Sequence, residues 1–338
     1  MRHVDVLIIG GGPAGISAAI WCKRLGIDCL LLEEQSQLGG QLFNIFNEII
    51  DYPGMRTKNG IEMQREMVKH FVEMDCLYEV NTKVLFIDER SKTVKVKKQA
   101  KEQEICYTYL ILATGSSQRK LGVPGEQQMI DRGEVYSASA DGERLKGKTV
   151  AIIGGGDRAF EGAHLLSSKA REVYLIHRST RFKAREQYVE RIISNPCIKV
   201  MTDTEVTAIH GDRHVTSIDL ESKNKEYKNK EYKNKEYKNK EYKNKEYKNK
   251  EYKNKEYKNL LVDAVLIRLG VAPNVDLIKG KVATAQNGLI VTDDVHQSSN
   301  PFIYAIGDSC TTPLFSSISS SAGQGAIVAK QLSSMLNI

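Results

Sequence analysis

The chain has 338 residues, 41% of them hydrophobic and 27% charged, a globular composition at a length that favours two domains over one. No apolar run approaches the roughly 18 residues of a membrane span, so no membrane partner is expected. The formal charge of +7 comes from seven tandem KNKEY copies at 223–257; each copy carries a net +1, and with Lys258 they leave the rest of the chain close to neutral. The charge therefore reports the repeat and not a basic fold, and no nucleic-acid partner is expected.

In chain order, an apolar run at residues 4–9 reads as a strand that ends in glycines. A helical pattern follows, with Ile16, Ala19, Ile20 and Leu25 apolar and Gly26 ending it. DCLLLEE then reads as a second buried strand, completing a βαβ unit of about 30 residues. The segments KVLFIDERSKTVKVKK and YTYLILATG read as β-rich. A second βαβ unit spans 148–178, KTVAIIGGGDRAFEGAHLLSSKAREVYLIHR. VTAIHGDRHVTSIDLES, LLVDAVLIRLG and NPFIYAIGD complete the strand patterns. The KNKEY array lies between two of these strands and reads as an expanded hairpin tip. A tip tolerates length because closure entropy grows slowly with loop length. A period of five makes no continuous helical or strand face, so a solvated arm is expected, with docking to an acidic partner as the alternative.

Gly10, Gly12 and Gly15 follow the first strand and open the first helix. Glycines at this spacing let the backbone turn and approach a pyrophosphate at the helix N-terminus. Glu33, 18 residues past Gly15, ends the second strand, where a carboxylate accepts hydrogen bonds from a ribose. The second loop has Gly154, Gly156 and Ala159, alanine being an accepted third residue. Its second strand ends in His177, Arg178, Arg181 and Lys183 in place of a carboxylate. Such a cluster attracts a 2′-phosphate and argues for NADPH over NADH.

The six cysteines, Cys22, Cys29, Cys76, Cys106, Cys197 and Cys310, include no C-x-x-C pair and no zinc-ligand spacing. They are expected to be reduced thiols, with no metal site. The N-terminal MRHVDVLIIG runs directly into a strand without a secretion signal, so a cytoplasmic location is expected.

Taken together, GGGPAG, LGGQL (38–42), DYPG (51–54), ILATGS (111–116), GGGDRA (154–159), HRSTRFKA (177–184) and AIGDS (305–309) resemble the thioredoxin reductase-like flavoproteins. That family includes the low-molecular-weight thioredoxin reductases and their ferredoxin/flavodoxin–NADP reductase relatives. The resemblance implies an α/β fold of two Rossmann-like, doubly wound, three-layer domains. A discontinuous FAD domain (1–117 and 274–338) would flank an inserted NADPH domain (118–273) that carries the repeat. It also implies a homodimer. By the same resemblance Gly10, Gly12, Pro13, Ala14, Gly15, Glu33, Gly40, Gln41, Asp51, Thr114, Gly115 and Asp308 would hold FAD. Gly154, Gly156, Asp157, Arg158, Ala159, His177, Arg178, Arg181 and Lys183 would hold NADPH.

The chain departs from the family pattern at four places. Thioredoxin reductases carry Cys-x-x-Cys-Asp-Gly before the second loop; here the text is Ser137-Ala138-Ser139-Ala140-Asp141-Gly142. A flavin reaches thioredoxin through a disulfide and a mixed disulfide, and neither Ser137 nor Ala140 can form one. Asp141 then has a structural role in the turn. Ser316 and Ser317 stand where the family has Arg-Gln, and Ser179 replaces a common second Arg. The aromatic C-terminal extension of the ferredoxin relatives has no counterpart in AKQLSSMLNI. The expected function is an FAD-dependent NADPH oxidoreductase that passes electrons directly to flavodoxin or ferredoxin. The alternatives are a disulfide reductase using Cys22, Cys76, Cys106 or Cys310, and a flavin-binding sensor with little turnover.

Overall fold

The computed structural model describes residues 2–222 and 259–337; the KNKEY array lies outside the described residues. The chain divides into two compact units, Met1–Ser117 with Val271–Ile338, and Gln118–Gly270. In chain order the first unit opens with β1 (Arg2–Ile9), α1 (Pro13–Arg24), β2 (Cys29–Leu32), α2 (Gly60–Glu73) and β3 (Tyr78–Glu79). The hairpin β4 (Thr82–Asp88) and β5 (Thr93–Lys98), the long strand β6 (Lys101–Leu112) and the short β7 (Ser116–Gln118) follow. The second unit holds α3 (Glu126–Asp131), β8 (Thr149–Ile153), α4 (Asp157–Ser167), β9 (Glu172–Ile176) and α5 (Glu186–Ile193). It continues through β10 (Ile198–Met201), β11 (Thr204–His210), β12 (Ser217–Ser222), β13 (Asn259–Leu261) and β14 (Ala264–Ile267). The chain returns to the first unit with β15 (Val271–Pro273), β16 (Ile303–Ala305) and α6 (Ile318–Leu336).

The sheet of the first unit runs β3-β2-β1-β6-β5-β4, with β16 also paired to β6. β6 serves two neighbours on one side. Its first half pairs antiparallel with β5, and its last residues pair parallel with β16, Ile303 opposite Leu110. A strand about 190 residues downstream is thereby built into the sheet beside the N-terminal β1–β6 pair. Side chains alternate from Val6 to the end of β1: Val6 and Ile8 join the core under α1, α2 and α6, while Leu7 and Ile9 join the core on the opposite face. The result is three layers, the arrangement that a strand buried on both faces requires.

α1 starts where Gly12 serves as N-cap and Pro13 takes the first helical position, and it ends with Lys23 and Arg24 in its last turn. α6 starts with a reciprocal capping box between Ser317 and Ser320. The two helices meet backbone to backbone: a Cβ on Gly325 would lie 2.7 Å from both Ala14 O and Ala18 N.

The second unit is built on the parallel sheet β10-β9-β8-β14. Val150 and Ile152 face Phe160, Ala163 and Leu166 of α4. Ala151 and Ile153 face the antiparallel sheet β11-β12-β13. This too is a three-layer α/β unit. Among the described residues no helix is long and apolar enough to cross a membrane.

Candidate nucleotide-binding sites

At the carboxyl end of β1 the three loop glycines do different work. Gly10 has φ +107°, and a Cβ there would sit 2.3 Å from Ala113 O at the end of β6. A Cβ on Gly15 would sit 1.9 Å from Gly10 O, so α1 packs on the loop only because that atom is missing. Gly12 faces open space, with no atom within 4 Å of an added Cβ. Two glycines therefore close the backbone, and the third leaves a bare cradle at the N-terminus of α1. A dinucleotide pyrophosphate fits that cradle, where backbone N–H groups and the helix dipole favour an anion.

The other residues assigned to this site from the sequence converge here from distant segments. Glu33, just past β2, accepts hydrogen bonds from Gly11 N (2.7 Å) and Gln35 N (2.8 Å). A carboxylate has acceptor capacity beyond these two bonds. Gly40 opens a short 3-10 turn and packs its Cβ position 3.1 Å from Gly12 Cα. Gln41 donates to Asp308 Oδ2 at 2.8 Å and to Ser116 Oγ at 3.0 Å. Ser116 in turn donates to Asp308 Oδ2 at 2.9 Å, and Ser316 donates to Oδ1. Thr114 Oγ1 donates to Asn274 O, and Asn274 Nδ2 donates back to Thr114 O; Gly115 follows with φ +64°. Asp51 lies against the first turn of α6, where Ser319 Oγ donates to its carbonyl at 3.5 Å.

Sequence reading missed Ser116 and Gln324. Gln324 Oε1 accepts from Gly307 N at 2.6 Å and its amide donates to Thr311 Oγ1, so α6 holds the Asp308 turn from below. No local pattern marks either residue, because each acquires its partner only through the sheet topology. The Ser316 hydroxyl, standing where the family has a cation, is spent on Asp308.

The second unit repeats the loop geometry. A Cβ on Gly154 (φ +151°) would lie 2.2 Å from Arg268 O and 3.2 Å from Ala159 Cβ, while Gly156 is open. Ala159 thus fills the close-packing place that Gly15 takes in the first loop. Asp157 is held by Arg185, whose backbone N and Nε donate to its two oxygens at 2.8 and 2.9 Å. Arg158 is exposed in the first turn of α4.

Past β9, the expected basic cluster divides into two kinds of residue. The His177 ring lies against Gly155 and Phe182, and its Nε2 bonds Arg181 O at 3.0 Å. Burial, with the Arg178 and Lys183 charges adding to it, pushes His177 below the ordinary histidine range. His177 is therefore a neutral positioning group at pH 7 and not one of the cations. Arg178, Arg181 and Lys183 are exposed and form no ion pair among the described residues. The loop is tied to this strand end by Lys183 N and Ala184 N, both donating to Gly155 O.

The turn at 137–142 is stitched by Asp141, which accepts from Ser137 N at 2.8 Å and from Arg144 at 2.9 Å. Ser137 is half-buried and bonds Ser139, and Ala140 is exposed. A cavity of about 200 Å³ opens nearby, lined among others by Lys120, Met129, Tyr136 and Arg268. Among the described residues no group of three or more His, Cys, Asp or Glu side chains is placed to hold a metal ion.

Comparison with known proteins agrees with this architecture. Residues 4–325 match the family described as pyridine nucleotide-disulphide oxidoreductase. The thioredoxin reductase of Treponema pallidum is 30% identical over 342 residues, covering 98% of this chain and 97% of that protein. The NADH dehydrogenase of Bacillus subtilis is 29% identical over 334 residues, covering 96% of this chain but 57% of that relative, so this chain spans little more than half of its length. The crystal structure of Lactococcus lactis thioredoxin reductase superposes with a TM-score of 0.73 at 27% identity, covering 99% of each chain. The chain belongs to the pyridine nucleotide-disulphide oxidoreductase family and is an NAD(P)H-dependent oxidoreductase of thioredoxin reductase-like type, with FAD and NADPH as its cofactors.

Proposed function

We propose that the first unit holds FAD, the second holds NADPH, and electrons leave for a small one-electron carrier, flavodoxin or ferredoxin, without passing through a protein disulfide. When bound, FAD supplies the exchange between the two-electron chemistry of NADPH and the one-electron chemistry of the carrier. The chain's own residues bind and orient. Gly10, Gly12 and Gly15 shape the first phosphate cradle, Glu33 offers a carboxylate to the ribose, and the Asp308–Gln41–Ser116 cluster borders the same edge. Gly154, Gly156 and Ala159 shape the second cradle, with Arg178, Arg181 and Lys183 facing a 2′-phosphate. A homodimer, which the family resemblance implies, is part of this reading, and so is a cytoplasmic location.

The observation that carries it is the sulfur-free turn at Ser137–Gly142. Five of the six thiols are poor substitutes, and the sixth, Cys197, is exposed just before β10. Cys22, Cys29 and Cys76 are buried in one core. The hydrogen bond to Cys29, together with burial, pushes the Cys22 thiol far up, and burial raises Cys76 to about 11. Cys310 is also raised to about 11, mainly by burial, and its thiol donates to Ala305 O at 3.1 Å. Thiols held this far above neutrality are protonated and not nucleophilic at pH 7. Cys106 lies inside the sheet, opposite His3 on one side and Thr93 on the other.

The test is anaerobic NADPH oxidation by the FAD-loaded protein with flavodoxin, ferredoxin or thioredoxin as acceptor. Acceleration by a one-electron carrier that survives replacement of all six cysteines is expected. Thioredoxin reduction lost on replacing those cysteines would refute the proposal.

A further inference from the structure

We propose that the cavity of about 200 Å³ walled by β14 and α3 is a binding site for a small aromatic carboxylate, whose anion meets Lys120 and Arg268. The segments 118–120 and 135–136 complete its lining, and every lining residue belongs to the second unit. Val135 and Tyr136 lead directly into the sulfur-free turn that begins at Ser137.

The apolar part of the lining comes from two elements. Val265 and Ile267, two residues apart, project from one face of β14, and Met129 and Ile130 come from α3. Met129 and Val265 are buried, and Ile130 and Ile267 are half-buried. Val135 is 54% exposed, so the lining runs from a buried floor to a rim in contact with solvent. An apolar cavity of about 150 Å³ holds a benzene ring. The volume here takes a ring with one carboxylate and falls below the range of about 300–1,000 Å³ that drug-sized ligands use.

The polar part is cationic. The backbone of Arg268 is fixed at the sheet, where its N–H donates to Ile153 O at 2.7 Å. Its guanidinium is held elsewhere, donating to Tyr136 O at 2.7 Å and Ile267 O at 2.8 Å. Those two carbonyls leave spare N–H donors on the fork and do not neutralise its charge. Burial lowers its pKa, as expected of a cation taken out of water among neutral partners. Lys120 donates to the neutral Gln127 Oε1 at 2.9 Å and likewise has no ion pair among the described residues. The acid in the lining, Glu126, is buried and already committed: its two oxygens accept from Leu121 N at 2.9 Å and Gly122 N at 2.7 Å. Two cations with spare donors therefore share one small cavity with an apolar floor. A carboxylate matches such donors, and a ring attached to it covers the apolar walls. Inorganic phosphate would meet the charge and leave those walls uncovered.

The site does not depend on the nucleotide assignment. The test uses the full-length, FAD-loaded protein with benzoate as the probe, measured by calorimetry at pH 7, where benzoate is ionised. Benzamide keeps the ring without the charge, and acetate keeps the charge without the ring. A benzoate dissociation constant of about 0.1–1 mM is expected for a probe this small, with both controls at least about tenfold weaker. R268Q and K120Q are each expected to weaken benzoate about tenfold, and R268K less than R268Q because it keeps the charge. K120Q changes an exposed side chain and keeps the test valid if R268Q folds poorly. Saturating ADP-ribose should leave benzoate binding in place. No benzoate heat at about 10 mM overturns the proposal, as does equal affinity for benzoate and acetate, or unchanged benzoate affinity in both glutamine variants. Displacement of benzoate by ADP-ribose also overturns it, because the cavity would then be part of the nucleotide site.

Discussion

Gln41 and Asp308, 267 residues apart in the chain, share a hydrogen bond of 2.8 Å at the mouth of the first glycine loop. Ser116 donates to the same carboxylate oxygen and Ser316 to the other, so Asp308 has three neutral donors and, among the described residues, no cation bonded to it. Asp308→Ala leaves all three donors without their acceptor. At about 0.5–1.5 kcal/mol per lost bond, with solvent replacing part of it, a loss of about 1–3 kcal/mol is expected. Flavin content and the urea midpoint should both fall; full flavin occupancy with an unchanged midpoint would refute this role.

The two kinds of loop glycine predict opposite phenotypes. Gly15→Ala places a methyl 1.9 Å from Gly10 O. It should destabilise the flavin-free protein by about 3 kcal/mol or more, because backbone cannot step aside as a side-chain tip can. Gly12→Ala meets nothing within 4 Å and keeps an allowed extended conformation. It should leave the flavin-free melting temperature nearly unchanged while weakening FAD at least about tenfold, since the methyl enters the space left for phosphate. Equal effects of the two variants on flavin-free stability would contradict the division of labour.

Arg178, Arg181 and Lys183 are exposed cations past β9 and form no ion pair among the described residues. Arg181→Glu with Lys183→Glu should raise the KM for NADPH about 10- to 100-fold and leave that for NADH nearly unchanged. Steady-state kinetics with both nucleotides at one ionic strength decides it. A parallel rise for NADH would mean that these side chains do not read the 2′-phosphate.

The turn at 137–142 keeps the Asp141 scaffold while lacking sulfur. Ser137→Cys combined with Ala140→Cys should therefore introduce NADPH-dependent reduction of a small aromatic disulfide, absent in the parent. Ala140 is exposed, so its thiol would be accessible. Failure of the double variant to gain any disulfide reductase activity, with its flavin still reduced by NADPH, would mean that more than the sulfur pair separates this chain from a disulfide reductase.

Burial lowers the pKa of His177 and of His296 relative to the unfolded chain. Between the folded value and about 6.5 the unfolded state then binds more protons, so stability rises with pH and is complete above about pH 6.5. The melting temperature should fall on acidification below that point. His177→Gln, which keeps an amide donor for Arg181 O, should flatten part of the slope; an unaltered profile would show that His177 does not contribute.

The βαβ periodicities, both glycine loops and the missing sulfur pair were legible in the amino-acid sequence because each is local. Apolar spacing sets a strand or a helix, and the steric demands of a tight turn select glycine within a few residues. The basic cluster at 177–183 was legible as charge but not as function. Packing of the His177 ring against Gly155 removes that residue from the cations. Only the tertiary structure decided that β6 receives β16 along its last residues, and that Asp308 thereby meets Gln41 and Ser116. It also decided that Arg268, an ordinary residue at a strand end, holds its guanidinium at Tyr136 O with no ion pair to any described carboxylate. These relationships depend on which distant segments the sheet order makes neighbours, and no short-range pattern of side chains encodes that.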